Sequence, residues 1–167
     1  MNGDKKRAVL VDRDDTLCPN VPYCDDPSKI HVFPDVPGAI RQLNQAGFLV
    51  LMVTNQSGIG RGYFGYFEFE SVNHELMSQI RAGGGRIDDV FFCPHTPEDK
   101  CDCRKPNTGM GKWAVEKYNL DPTECWMIGD KDLDIEFGRR LGMKSILVSA
   151  EHPFSEAVGT ILSEFSS

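Results

Sequence analysis

The chain has 167 residues, 40% hydrophobic and 26% charged, a balance that excludes a disordered or collagen-like protein. This length predicts a single domain over residues 1–167. The net charge of −7 argues against nucleic-acid and anionic-membrane partners, because both require a basic face. No apolar run approaches the length of a bilayer span and no secretory leader is evident, so we expect a cytoplasmic monomer.

Short apolar runs alternate with stretches of helical spacing along the whole chain. In chain order, the predicted elements are strand 8–11, helix 36–46, strand 48–53, helix 69–80, strand 90–92, helix 110–118, strand 126–128, helix 133–141, strand 145–148 and helix 154–165. Such alternation is typical of a parallel sheet covered by helices on both faces. The predicted fold is α/β, a Rossmann-like three-layer sandwich with a mostly parallel central sheet.

Polar residues of chemical interest follow the ends of four predicted strands. Asp12 and Asp14 come after the first strand, the segment 54–57 after the second, Cys93 after the third and Asp130 after the fourth. In open α/β sheets, ligands bind beyond the carboxyl ends of the strands. We therefore expect these distant residues to converge at one edge of the sheet.

The Asp12-Arg13-Asp14 segment has two interpretations. Asp and Thr residues favour turns, so an isolated Asp-x-Asp is compatible with a capped turn. The alternative is a magnesium site in which one carboxylate attacks phosphorus while a second transfers a proton. Asp130, at the end of the fourth strand, is placed to complete such a site.

Two further segments carry groups that bind phosphate. Residues 54–57, Thr-Asn-Gln-Ser, offer hydroxyl, amide and backbone N–H donors, although loops of this kind often serve only as caps. Arg104 and Lys105 are adjacent cations in an otherwise acidic chain, and they can neutralise a phosphate group.

Three cysteines and one histidine lie close together on the loop after the third strand. A set of three thiolates and one imidazole suits a tetrahedral structural zinc ion. The loop has few apolar residues and cannot become ordered by burial, so we expect a zinc-binding loop at 93–103 rather than four incidental polar residues. The expected ligands are Cys93, His95, Cys101 and Cys103.

Taken together, these motifs resemble one enzyme superfamily. The matching segments are Val11–Asp14, Thr54–Gly58, Cys93–His95, Cys101–Pro106 and Gly129–Lys131. In this order they are similar to the haloacid dehalogenase superfamily, and within it to the branch of small phosphatases that act on heptose bisphosphates and histidinol phosphate. The sequence departs from that branch at Asp15, where glycine is usual.

The resemblance implies a role for each matched residue. Asp12 would be the nucleophile and Asp14 the acid and base. Magnesium would bind Asp12, the backbone carbonyl of Asp14, and Asp130, while Thr54 and Lys105 would hold the transferring phosphoryl group. Zinc is implied at the four cysteine and histidine ligands. Further phosphate or substrate contacts are implied at Asn55, Gln56, Ser57, Arg61, Arg104 and Lys131.

The sequence thus predicts a magnesium-dependent phosphatase that forms an aspartyl phosphate. We expect it to act on a small phosphorylated metabolite. Segments 17–54 and 58–90 are too short to insert a substantial cap domain, so an open site would depend on its loops and the zinc region for specificity. A sugar bisphosphate, D-glycero-D-manno-heptose 1,7-bisphosphate, is the first expectation and histidinol phosphate the second. Two alternatives remain open at this point: a phosphoacceptor signalling domain, and a zinc-binding interaction module without activity.

Overall fold

The computed structural model describes residues 3–167, and every strand and helix predicted from the sequence is present. The strands are β1 (Ala8–Val11), β2 (Leu49–Asn55), β3 (Asp89–Cys93), β4 (Trp126–Gly129) and β5 (Lys144–Leu147). The helices are α1 (Val36–Gln45), α2 (Ser57–Gly60), α3 (Tyr66–Ala82), α4 (Gly109–Tyr118), α5 (Asp132–Arg140) and α6 (Phe154–Phe165). Short 3₁₀ helices cover Pro27–Lys29, Pro97–Asp99 and Pro122–Glu124.

The five strands form one sheet in the order β3-β2-β1-β4-β5, and every neighbouring pair is parallel. From β1 the chain moves outward through β2 to β3, then returns to place β4 on the other side of β1. The direction of winding therefore reverses between β1 and β4. The carboxyl ends of these two strands form the crevice where ligands bind in open α/β folds.

Helices cover both faces of the sheet, which confirms the predicted three-layer sandwich. On one face, Val9 and Val11 of β1 pack in a core with residues of α1, α3 and α6. On the other face, Ala8 and Leu10 pack with residues of α4 and α5. Because all four residues of β1 are fully buried, their apolar run is continuous rather than alternating.

The strand boundaries differ from the prediction at the carboxyl end of the sheet. The sequence predicts that the second strand stops at residue 53, but β2 continues through Thr54 and Asn55, which pair with Phe92 and Cys93 of β3. Parallel pairing uses backbone groups, so the strand does not end where its side chains become polar. Thr54 and Asn55 are consequently fixed by the ladder rather than by a loop.

No inserted cap domain occurs in residues 3–167, as predicted. The long segment between β1 and α1 contains only the 3₁₀ helix Pro27–Lys29. In the same residues, none of the helices combines the length and apolarity that crossing a membrane requires. The cytoplasmic location, the monomeric state and the single-domain organisation stay predictions.

Candidate active site

The switch point of the sheet brings together the aspartates that follow β1 and β4. The Asp12 backbone N–H donates to the carbonyl of Ile128 in β4 at 3.0 Å, which fixes the first loop residue against the neighbouring strand. Carboxylate oxygens of Asp12, Asp130 and Asp134 lie within 4.8 Å of one another. The Thr16 hydroxyl lies 3.4 Å from Asp130 Oδ1 and completes this edge of the site.

Lys105 reaches into this group from a distant segment of the chain. Its Nζ donates to Asp12 Oδ1 at 2.8 Å, to Asp134 Oδ1 at 2.8 Å and to the Val53 carbonyl at 2.9 Å. Burial alone would lower the pKa of Lys105, but the carboxylates of Asp12 and Asp134 raise it above its ordinary value. Asp12, Lys105 and Asp134, here called the carboxylate–lysine cluster, therefore form a buried, charge-paired group.

Asp134 is a member of the cluster that the sequence-based site assignment omits. It is fully buried on α5, and its second oxygen accepts the Lys131 backbone N–H at 3.2 Å. A Cβ at residue 129 would lie within 2.4 Å of the Asp134 carboxyl oxygen, so Gly129 is required for the close approach of α5 to β4.

The donor set fits a hard divalent cation. Both Asp134 oxygens are already occupied, by Lys105 and by the Lys131 N–H, which leaves Asp12 and Asp130 to face a cation. Burial and the adjacent Asp12 carboxylate raise the pKa of Asp130 to about 7. Two carboxylates this close repel each other, and a divalent cation with oxygen ligands removes that repulsion.

Asp14 lies beside the cluster and contacts the phosphate-binding segment predicted after β2. Gln56 Nε2 donates to Asp14 Oδ2 at 3.2 Å and to Thr54 Oγ1 at 2.8 Å. Gln56 and Thr54 are both buried. The amide of Gln56 therefore links the second aspartate of the motif to the hydroxyl at the end of β2. Asp14 is also held by Arg13, which sequence reasoning did not assign to the site.

These residues surround a cavity of about 330 Å³. Of the residues assigned from sequence, it is lined by Asp12, Asp14, Asn55, Gln56, Ser57, Arg104, Lys105 and Lys131. Thr54 lies beneath the lining, and Arg61 is exposed outside it, with its Nε 3.5 Å from Ser57 Oγ. Tyr23 is part of the wall and packs edge-on against Tyr63, with ring centroids 4.8 Å apart.

Asn55 connects the end of β2 to the segment that carries Lys105. Its Oδ1 accepts the Lys105 backbone N–H at 2.9 Å, and its Nδ2 donates to the Lys105 carbonyl at 3.2 Å. Both ends of the amide are thus engaged by one residue's main chain. The side chain predicted to meet phosphate instead holds the backbone of a neighbouring cation in place.

Cys93, His95, Cys101 and Cys103, here called the cysteine–histidine cluster, converge as the sequence predicts. Cys103 Sγ lies 3.1 Å from Cys93 Sγ, 3.2 Å from His95 Nδ1 and 3.6 Å from Cys101 Sγ. Ligands at zinc bond lengths of about 2.0–2.3 Å stand roughly 3.5–3.8 Å apart in a tetrahedron. The distances from Cys93 Sγ to His95 Nδ1, 3.5 Å, and to Cys101 Sγ, 3.6 Å, fall in this range, whereas Cys103 Sγ lies closer to Cys93 and His95 than the range allows. The four ligand atoms are thus close to, but slightly tighter than, the spacing of a zinc site.

Without a metal, the pKa values of Cys93 and Cys103 are raised by burial and neighbouring thiols, and only that of Cys101 is lowered. At Cys101, burial opposes ionisation, but the backbone N–H groups of Arg104 and Cys103 and the adjacent thiols lower the pKa to about 7. The Arg104 N–H donates to Cys101 Sγ at 3.3 Å, so a metal on this thiolate would fix the residue that leads into Lys105.

The fold and this geometry define a class of protein: an α/β protein with a cluster of carboxylates at the switch point of a parallel sheet. Residues 102–153 match a family model described as HAD-hydrolase-like, where HAD denotes haloacid dehalogenase. The chain is 38% identical over 136 residues to the probable D-glycero-D-manno-heptose-1,7-bisphosphate 7-phosphatase of Thermoplasma volcanium, covering 81% of this chain and 93% of that protein.

Two further similarities agree with this class. The D,D-heptose 1,7-bisphosphate phosphatase of B. bronchiseptica, solved with magnesium and phosphate, superposes with a TM-score of 0.86 at 27% identity, covering 95% of this chain and 99% of that one. The chain is 35% identical over 162 residues to the histidine biosynthesis bifunctional protein HisB of Legionella pneumophila, covering 95% of this chain and 46% of that protein. The chain belongs to the heptose-bisphosphate 7-phosphatase family of haloacid dehalogenase-like hydrolases.

The family settles the alternatives that the sequence left open. The chain is a hydrolase of phosphate monoesters, which excludes the signalling domain and the inactive zinc module. The predicted superfamily, fold and enzyme class are confirmed. The position of Asp12 directly after the first strand, rather than after a later one, agrees with this assignment.

Proposed function

We propose that this enzyme removes one phosphate from a sugar bisphosphate, D-glycero-D-manno-heptose 1,7-bisphosphate, and that Asp12 carries the phosphoryl group. The observation that supports this proposal is the meeting of Asp12, Asp14 and Lys105 at one open cavity, with a carboxylate oxygen of Asp130 within 4.8 Å of Asp12. Related proteins of the same family act on that substrate by name.

The chemistry follows from the partners of each carboxylate. Lys105 engages Asp12 Oδ1, which leaves the other carboxylate oxygen to attack phosphorus. As the new O–P bond forms, the bond from phosphorus to the sugar oxygen breaks, and Asp14 gives that oxygen a proton. Asp14 then takes a proton from a water molecule, which attacks the aspartyl phosphate and releases inorganic phosphate. Thr54 and Lys105 would contact the phosphoryl oxygens only after an exchange of partners, because Lys105 donates all three of its N–H groups to protein acceptors and Thr54 lies beneath the cavity lining.

A magnesium ion bound by Asp12, the Asp14 carbonyl and Asp130 would supply neutralisation of the charge on the transferring group. The chain's own cations add to this: Lys105 beneath the nucleophile, with Arg104 and Lys131 at the cavity wall. Phosphoryl transfer needs positioning and charge neutralisation more than covalent chemistry. A few local cations are enough to neutralise the charge of one phosphoryl group, even in a protein of net charge −7.

Zinc in the cysteine–histidine cluster would have a structural role. Its four ligands leave no open position for water, which is the arrangement of closed structural sites. The loop between β3 and α4 contains the single 3₁₀ turn Pro97–Asp99 as regular structure, and it leads directly into Arg104 and Lys105. Zinc would therefore fix the approach of both cations to the cavity.

Substrate choice would depend on the rim of the cavity, since no cap covers it. Ser57, the last residue of the phosphate-binding segment, and the exposed Arg61 next to it lie at this rim, where we expect the second phosphate of a bisphosphate. The Tyr23 and Tyr63 rings offer an apolar face on the same rim. Histidinol phosphate is the second candidate because the HisB similarity covers 95% of this chain.

A phosphate-release screen with magnesium tests the proposed substrate. Heptose bisphosphates, hexose bisphosphates and histidinol phosphate are compared by kcat/KM, with wild-type protein and Arg61→Ala. We expect the heptose bisphosphate to be preferred, and Arg61→Ala to lower that value about tenfold while leaving histidinol phosphate unaffected. Preference for histidinol phosphate by the wild-type enzyme would overturn the first assignment in favour of the second.

A further inference from the structure

Arg13, the residue between the two motif aspartates, is among the largest fully buried side chains of residues 3–167. Only 1% of it is exposed. Arginine is rarely buried to this degree unless every charge and donor is paired, because removing a guanidinium from water is costly. The Asp-x-Asp motif does not by itself require a cation at its middle position. The burial of Arg13 at that position therefore needs an explanation.

All three guanidinium nitrogens of Arg13 have partners. Nε donates to Asp14 Oδ1 at 3.0 Å and Nη2 lies 3.3 Å from Asp14 Oδ2, so the planar group grips both carboxylate oxygens. Nη1 donates to Asn73 Oδ1 at 3.1 Å. Asn73 is itself buried, on the face of α3 that packs against the core.

The arrangement fixes Asp14 from two directions. Arg13 ties it to helix α3 through Asn73, while Gln56 ties Oδ2 to Thr54 at the end of β2. Asp14 still lines the cavity, and its side chain remains 26% exposed. Its carboxylate is thus held at a set orientation and still faces the space where a substrate would lie.

We propose that Arg13 is a positioning residue for Asp14, anchored in turn by Asn73. This inference rests on the proposed function, in which Asp14 transfers protons. Proton transfer depends on the direction of the carboxylate toward the sugar oxygen and later toward water. Arginine is needed because its fork contacts both oxygens and still has a third nitrogen for Asn73, whereas the single ammonium of lysine cannot grip both oxygens in a planar fork.

The test compares two substrates in Arg13→Met and Asn73→Ala. On a sugar phosphate, whose leaving oxygen needs a proton, we expect Arg13→Met to lower kcat about 10²-fold with little change in KM. On p-nitrophenyl phosphate, the phenolate leaving group needs no proton. Phosphorylation of Asp12 by this substrate should therefore persist in the variant, while hydrolysis of the aspartyl phosphate slows. Stopped-flow measurement should then show a burst of nitrophenolate stoichiometric with enzyme, followed by a slow phase.

A purely structural role for Arg13 predicts a different result. A partly unfolded variant would lose rate on both substrates in proportion and show no burst, which would overturn the proposal. Asn73→Ala removes one charge-assisted hydrogen bond to Arg13 and serves as the same test if Arg13→Met does not fold, with an expected loss of about tenfold in kcat on the sugar phosphate.

Asp14→Asn, measured in parallel, separates this inference from the proposed function. If Asp14→Asn keeps wild-type turnover, the assignment of Asp14 itself is wrong. If Asp14→Asn is inactive while Arg13→Met and Asn73→Ala keep wild-type kcat on the sugar phosphate, only the positioning role is overturned.

Discussion

The carboxylate–lysine cluster and the cysteine–histidine cluster are held together by different forces. In the first, Lys105 offsets two buried carboxylates with hydrogen bonds of 2.8 Å, and strands β1 and β2 supply the rigid frame. In the second, Cys93 ends strand β3, and the other three ligands lie on the loop that follows it, whose regular structure is one 3₁₀ turn. The first cluster is ordered by charge pairing within the fold, and we expect a metal to stabilise the second, whose Cys93 and Cys103 are already buried in the core.

The two clusters therefore respond differently to the loss of one side chain. Losing a partner in the first leaves an uncompensated buried charge, which costs stability directly. Losing a ligand in the second weakens metal binding and frees the loop, which affects the cations that follow it more than the core. The following experiments measure each cluster's contribution to turnover and to stability, in order of decreasing effect.

The largest effect is expected for Asp12→Asn. The asparagine has the same size but is a far weaker nucleophile, so turnover should fall by at least about 10³-fold. Circular dichroism should be unchanged, because the fold does not depend on that charge alone. Near-normal phosphate release by this variant would contradict the covalent route.

Lys105→Met should be the most destabilising change in the carboxylate–lysine cluster. It leaves the buried Asp12 and Asp134 carboxylates without their shared cation, which we expect to cost about 3–5 kcal/mol in the free energy of unfolding. Urea denaturation measures the loss. Adding Asp134→Asn to this variant should recover part of the stability by removing one unpaired charge; no recovery would contradict the charge-pairing explanation.

Cys101→Ser should act on the loop rather than on the core. We expect zinc content, measured by mass spectrometry of metals, to fall well below one per chain, since serine is a poor zinc ligand. Limited proteolysis between residues 94 and 108 should become faster, and kcat/KM should fall about tenfold. Cys125→Ser, which alters a buried cysteine outside the cluster, is the control. Unchanged zinc stoichiometry in Cys101→Ser would show that the ligand set is wrong.

The smallest effect is expected at Asp15, where the resemblance described above leads us to expect glycine. Asp15 adopts a left-handed backbone conformation with φ of 59°, and its Oδ1 accepts the Asn20 N–H at 2.9 Å. Asp15→Ala should destabilise by about 1 kcal/mol, because alanine tolerates this conformation less well and cannot accept the hydrogen bond. Asp15→Asn, which retains both features, should differ little from wild type in thermal unfolding.

Much of this arrangement follows from local sequence signals. The apolar runs and helical spacing predict the sheet and its helices, and the polar residues at strand ends predict that Asp12 and Asp130 meet. The spacing of cysteines and histidine likewise predicts their convergence. Each of these signals is local, and the parallel topology then brings the segments to one edge.

The partners that hold the site in place were not predicted, because their roles depend on tertiary packing. Asp134 resembles an ordinary acidic residue in the first turn of a helix until Lys105 arrives from elsewhere. Asn73 carried a weak signal: it lies four residues after Phe69, on the apolar face of α3. A polar residue at such a position indicates a buried hydrogen-bond partner, which here is Arg13.

Acid quenching of the working enzyme tests most directly whether Asp12 carries the phosphoryl group. Peptide mapping by mass spectrometry after millisecond mixing with substrate and magnesium should find one phosphoryl group on the peptide containing Asp12, and none in Asp12→Asn. Phosphate release with no phosphorylated peptide at any time point, or with the group on another residue, would contradict the account.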